Sequence, residues 1–137
     1  MEKKPDIRVL LLEDNPGDAE LIIRSLRRAS DSTCHVVRAN RLEQALALLS
    51  EQSFDVVLAD LSLPDAEGLE TVERLRAIVP HTAVIVLTGR DDTMLGTEAL
   101  HSGAQDYIVK GDRSASNLWR AIRYGVERQR MKSSLDE

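Results

Sequence analysis

The sequence predicts an α/β protein in which a parallel sheet of five strands carries helices on both faces. Three observations lead there. Strand-like apolar runs alternate with amphipathic, helix-like segments along the chain. The runs are near-continuous rather than alternating, as in parallel strands buried on both faces. Four runs also end in a chemically loaded residue. VLLLED ends in Glu13 and Asp14, FDVVLAD in Asp60, AVIVLT in Thr88 and AQDYIVK in Lys110. In such a sheet the carboxyl ends of the strands share one edge, and ligands bind in the crevice outside it.

Each element has its own signal. The first strand is the run ending at Leu12. Asn15-Pro16-Gly17-Asp18 then reads as a helix start: Asn caps, Pro fits the first helical position, and Asp18 faces the exposed amides. Ala19, Ile22, Ile23 and Leu26 follow at helical spacing. Cys34 to Arg38 is the second strand. Asn40 and Glu43 have capping-box spacing before an amphipathic helix of Leu42, Ala45, Leu46 and Leu49. Phe54 to Ala59 is the third strand, and Leu69, Val72, Leu75 and Val79 mark a helix stopped near Pro80. The fourth strand is Ala83 to Leu87. A weaker helix covers about Asp92 to Ser102, ended by Gly103. Ala104 to Val109 is the fifth strand. The last helix begins near Ser114 or Ser116 and runs through Arg128 or beyond.

A chain of 137 residues suits a single domain. Its core is expected over about 7–128, with 129–137 as a helical extension or tail. The net charge of −5 argues against non-specific nucleic-acid binding. The single cysteine, Cys34, has no partner for an internal disulfide and reads as a small strand hydrophobe. The charged start, MEKKPDIR, does not resemble a signal peptide, and no run approaches the ~20 apolar residues of a membrane helix. The expected compartment is the cytoplasm.

Glu13, Asp14 and Asp60 would repel one another at neutral pH unless a cation intervened. Mg2+ takes oxygen ligands and is typically bound by one or two carboxylates plus a phosphate. Mn2+ is the close alternative. Lys110 would add a point charge for the same phosphate, and the Thr88 hydroxyl a hydrogen bond. Asp60 is then either a further ligand or a nucleophile that forms an aspartyl phosphate.

These residues resemble the receiver domain of two-component response regulators, the family that includes the chemotaxis regulators. The resemblance covers about Ile7 to Arg128. Glu13-Asp14 matches the family's acid pair, and Asp60 in Leu58-Ala59-Asp60-Leu61-Ser62-Leu63-Pro64 matches its phosphoacceptor loop. Pro64, Gly68, Thr88-Gly89, Gly103-Ala104, Tyr107 and Lys110 also match. The resemblance implies a flavodoxin-like fold with strand order 2-1-3-4-5. It implies that a histidine kinase or histidine phosphotransfer protein gives Asp60 its phosphoryl group. It further implies Mg2+ held by Asp14, Asp60 and the Ser62 backbone carbonyl, with Glu13 helping through water. Thr88 and Tyr107 would form the switch, and the fourth helix, fifth strand and fifth helix would present the changed surface to an output domain or protein. Catalysis would be confined to self-catalysed phosphotransfer and autodephosphorylation. Where the family usually has Pro after the lysine, this chain has Gly111, so the Lys110–Gly111 bond is expected to be trans. Ser62 and Arg90 occupy positions that tune phosphoryl lifetime in the family.

Three other readings compete. A Mg2+ phosphatase with an aspartyl nucleophile wants a second acid two residues on, where this chain has Ser62. A flavin- or nucleotide-binding module wants a Gly- or Ser/Thr-rich first loop, here opened by Glu13 and Asp14. A receiver-like module working without phosphorylation would not need the five key residues. His35, His81 and His101 are scattered, without a phosphodonor context. The basic last helix, with Arg120, Arg123, Arg128, Arg130 and Lys132, reads as a solvated face, and its continuation as a connector or homodimer contact.

Overall fold

The computed structural model describes residues 6–29, 34–110 and 115–136. Its elements run β1 (Ile7–Leu12), α1 (Pro16–Ala29), β2 (Cys34–Ala39), α2 (Leu42–Glu51), β3 (Val56–Asp60), β4 (Ser62–Leu63), β5 (Ala66–Glu67), α3 (Leu69–Ile78), β6 (Ala83–Thr88), α4 (Thr93–His101), β7 (Asp106–Val109) and α5 (Ala115–Asp136). A short 3-10 turn at Arg90–Asp92 precedes α4. Five parallel strands form one sheet in the order β2-β1-β3-β6-β7, and β4-β5 is a small separate hairpin. With β6 and β7 as the fourth and fifth strands of the main sheet, this is the expected 2-1-3-4-5 order of a flavodoxin-like fold.

The apolar runs are strands because both of their faces are covered. Val9, Leu11, Val56, Leu58, Ile85 and Leu87 pack with Leu26 of α1 and Leu118, Ile122 and Val126 of α5. Alternate residues Leu10, Leu12, Val57, Ala59 and Val84 turn the other way, onto Leu42 and Ala45 of α2 and Leu75 of α3. A smaller cluster joins Val86 to Leu61, Val72, Ala99 and Ala104, with Tyr107 packed against it. Strand residues separated by two share a face, so one sheet feeds two core layers.

Helix starts follow the sequence in one case and depart from it in another. Asn15 Oδ1 accepts the Asp18 N–H at 2.9 Å, the expected cap of α1. The expected Asn40/Glu43 capping box of α2 does not form. Arg41 holds the cap position without a side-chain hydrogen bond. Asp65, from the turn between β4 and β5, caps instead: its oxygens accept the Leu42 and Glu43 N–H groups at 2.8 and 2.9 Å. Its slight desolvation would raise its pKa, but the N–H groups of Glu43 and Leu42 outweigh this and hold the carboxyl below its usual range. Asp65→Ala is expected to lose about 1 kcal/mol of stability, read as a lower urea midpoint. The depressed pKa means this stabilisation is present above the unfolded-state pKa and fades as pH falls through the folded one. An unchanged midpoint at pH 7 would mean the cap is not formed in solution.

Gly125 does not stop α5. An added Cβ there would meet Gln105 Cγ at 3.1 Å and Ala83 Cβ at 3.3 Å, so the glycine lets the helix lie close on the sheet. Among the described residues, no helix is long and apolar enough to cross a membrane. No cis peptide bond occurs among them either. Gly111, and with it the expected trans bond after Lys110, lies outside the described residues.

Candidate functional site at the carboxyl edge of the sheet

The central strands β1 and β3 deliver the acids, and the edge strand β7 delivers the cation. Glu13 follows β1 and is fully buried, whereas its neighbour Asp14 is exposed. Asp60 closes β3 and is 8% exposed. Lys110, just past β7, places its Nζ 2.5 Å from Glu13 Oε2, 2.8 Å from Asp60 Oδ2 and 3.2 Å from Asp18 Oδ2. The lysine backbone N–H is fixed on the Thr88 carbonyl at 2.7 Å. The other Asp60 oxygen, Oδ1, accepts the Ser62 N–H at 3.0 Å.

Glu13 and the backbone of the acid pair are anchored as well. The Glu13 N–H donates to the Ala39 carbonyl at 3.0 Å. Glu13 Oε1 accepts the Asn15 N–H at 3.1 Å. Arg38, from β2, donates Nε to the Glu13 carbonyl at 3.0 Å and Nη2 to the Asp14 carbonyl at 3.1 Å. The guanidinium fork therefore spans two successive carbonyls of the loop that carries the acids.

The charges do not balance. One ammonium faces Glu13, Asp18 and Asp60, with Asp14 beside them. Burial pushes Glu13 up to about 7, against the lowering pull of Lys110 and the Asn15 N–H; Asp60 adds to the rise. Burial alone would lower the pKa of Lys110, but its contacts with Asp60 and Glu13 hold the ammonium above its ordinary value. A second cation would resolve the excess. Glu13, Asp14 and Asp60 each offer a carboxylate oxygen, all within 4.8 Å of one another. Hard oxygen donors in this number suit Mg2+.

Thr88 ends β6, one residue past Leu87, the register partner of Asp60. It is 3% exposed, and its Oγ1 makes no hydrogen bond within the protein. Tyr107 is half-buried and pairs in register with Val86. Thr88 pairs with Val109, so the threonine and tyrosine lie on one face of the sheet. All five loaded positions thus lie along one edge. His35, His81 and His101 are exposed and away from it.

Sequence reasoning missed three contributors. Asp18 was a helix-start acid but also faces Lys110. Arg38 closed a strand but also clamps the acid loop. Asp65 drew no reading from the sequence but caps a helix 22 or more positions away in the chain. Only the first carried a local signal, since an acid in the first turn after the acid pair must lie near that edge.

The response regulator receiver domain family model matches residues 9–123. The chain belongs to that family. The transcriptional regulatory protein TrcR of Mycobacterium tuberculosis is 36% identical over 104 residues, which cover 76% of this chain and 39% of TrcR. The transcriptional regulatory protein ZraR of Escherichia coli K12 is 30% identical over 105 residues, covering 77% of this chain and 23% of ZraR. The chain therefore spans well under half the length of these relatives. A response regulator receiver domain protein from Clostridium thermocellum superposes with a TM-score of 0.80 at 27% identity, covering 91% of this receiver and 98% of the other.

Proposed function

We propose that this receiver accepts a phosphoryl group on Asp60 from a histidine kinase or histidine phosphotransfer protein. The observation that carries the reading is the clamp on Asp60: one oxygen on the Ser62 N–H, the other on the Lys110 ammonium, with the acid pair beside it. In the transfer, an Asp60 oxygen forms the new bond to phosphorus. The bond from phosphorus to the donor's histidine nitrogen breaks, and that nitrogen keeps the electron pair. Asp14, Asp60 and the Ser62 carbonyl would hold Mg2+ or Mn2+, with Glu13 acting through water; when bound, the ion would neutralise part of the negative charge that the carboxylates and the phosphoryl group bring together. Lys110 moves its ammonium from the carboxylates to a phosphoryl oxygen. Thr88 donates its unused hydroxyl proton to another. These fixed charges and dipoles act where transition-state charge gathers.

The chain itself is a switch rather than a turnover enzyme; its chemistry is limited to taking on the phosphoryl group and losing it to water. Tyr107 follows Thr88, and the surface of α4, β7 and α5 changes its affinity for an output domain or protein. Incubation with acetyl phosphate and Mg2+ tests the reading. Mass spectrometry should find one phosphoryl group, on the peptide carrying Asp60, and a chelator should prevent it. Modification elsewhere, or labelling that ignores chelation, would overturn it.

The end of α5 supports a second, smaller proposal. Helix α5 reaches Asp136, and its late residue Arg130 pairs with Asp55 of the body at 3.6 Å. A pair at this distance, with the arginine exposed, contributes little. Residues 129–136 then form a helical extension that serves as a connector or homodimer contact. Hydrogen exchange should show slower exchange of residues 127–136 at high protein concentration than at low. Random-coil exchange at every concentration, in both the free and phosphorylated states, would refute the contact.

A further inference from the structure

Helix α4 contains a glycine that its backbone does not require. Among the described residues, the glycines with positive φ are Gly68 and Gly103, and Gly96 is not one of them. An alanine would suit its helical conformation better, because glycine disfavours a helix interior. Space is what excludes a side chain. A Cβ built on Gly96 would lie 2.7 Å from Tyr107 Cδ2, 2.8 Å from Cγ and 3.2 Å from Cε2. Ordinary carbon contacts are about 3.5–4.0 Å. Two of the three atoms belong to the root half of the ring, so a rotation of the ring about its own axis does not relieve the clash. Either χ1 of Tyr107 changes or α4 moves away from β7.

We propose that Gly96 is a positioning residue for the switch: its missing side chain forms the notch in which the Tyr107 ring sits, on the sheet face that also carries Thr88. This rests on the reading of Thr88 and Tyr107 as the switch, and it adds the element that receives the ring. The notch couples the tyrosine to α4 directly, because the ring lies on the α-carbon of the helix rather than on a movable side chain. A change in the ring's position therefore changes how closely α4 approaches the sheet. Any side chain at position 96 removes the seated state from the choices open to Tyr107.

The chain has two tyrosines, so Tyr124→Phe leaves Tyr107 as the sole one. This parent, labelled with 3-fluorotyrosine, gives one fluorine resonance from position 107. Gly96→Ala is expected to shift that resonance in the free protein. It should also change, severalfold, the concentration of beryllium fluoride that half-saturates the protein in Mg2+. In an unlabelled Tyr107→Ala background, Gly96→Ala should instead raise the urea midpoint, because the helix gains alanine and no ring is present to clash. If Gly96→Ala alone fails to fold, the Tyr107→Ala/Gly96→Ala pair should fold again. A free-protein resonance identical with and without Gly96→Ala overturns the proposal, as does a Gly96→Ala loss that persists without the ring. A parent resonance that ignores beryllium fluoride overturns the switch reading instead, while the free-protein comparison still judges the notch.

Discussion

Asp60→Asn is expected to carry no phosphoryl group after incubation with acetyl phosphate and Mg2+ under conditions that fully label the wild type. The amide oxygen of asparagine is a poor nucleophile and cannot form a stable acyl phosphate, whereas the carboxylate can. No neighbouring acid substitutes for it. Glu13 is fully buried and engaged by Lys110, and Asp14, though its carboxylate lies within 4.8 Å of Asp60, is exposed and lacks the contacts with the Ser62 N–H and the Lys110 ammonium that hold Asp60. The loss is thus of the whole reaction rather than of a rate factor. Asparagine is close in shape, and its oxygen still accepts from Lys110, so the fold should persist in a urea titration run alongside. Intact-mass spectrometry provides the readout. Full labelling of Asp60→Asn would place the nucleophile elsewhere.

Lys110→Met is expected to slow phosphoryl uptake by about 10²–10³, the usual effect of deleting one preorganised charge at a transition state. Its effect on stability should depend on pH. Among the described residues, Lys110 is the ammonium paired with Glu13, whose side chain is completely buried while that of Lys110 is 23% exposed. Removing one partner of a fully buried pair costs about 3–5 kcal/mol, and the partial exposure of Lys110 brings the expected loss to about 2–3 kcal/mol at pH 8. Burial already pushes Glu13 up from an ordinary 4.5 to about 7 in the folded chain. Losing the lysine raises the folded value further. A carboxyl whose pKa is higher when folded contributes stability below its unfolded pKa and loses it as pH rises through the folded one. The variant should therefore lie nearest the wild type around pH 5 and fall away above pH 7. Urea titrations at several pH values, in the presence of a chelator, measure this directly. An equal loss at pH 5 and pH 8 would show that Lys110 does not neutralise Glu13.

Most of the architecture was legible because burial on both faces leaves a plain mark on sequence. The runs at Leu10–Leu12, Val56–Ala59 and Ala83–Leu87 needed no partner to be recognised, and the loaded residues after them fell on one edge as parallel topology requires. Asn15 capped α1 as read because the cap and its helix are neighbours in sequence. The cap of α2 was misread for the opposite reason: Asn40 and Glu43 are adjacent to the helix, but Asp65 competes from across the fold with two oxygens on two N–H groups. The β4-β5 hairpin escaped notice because two-residue strands have no period to read. At the site, the five loaded residues were visible by position, while the clamp by Arg38 was not. A side chain that serves backbone carbonyls leaves no complementary residue type in the sequence to point to it. Gly96 carried a signal of the same indirect kind, a glycine in a helix, whose cause lies in an aromatic ring on a different element.

The two cations that organise this edge come from the two margins of the sheet. Arg38 sits on β2 and Lys110 follows β7, each strand hydrogen-bonded to a neighbour on one side alone within the sheet. Margins fray first, since fewer bonds must open. Fraying of β2 would free the carbonyls of Glu13 and Asp14, and fraying of β7 would withdraw the ammonium from Asp60. Partial opening at either margin would thus undo the site while the strands β1, β3 and β6 stayed folded, so the site is expected to open at a lower free-energy cost than the whole fold.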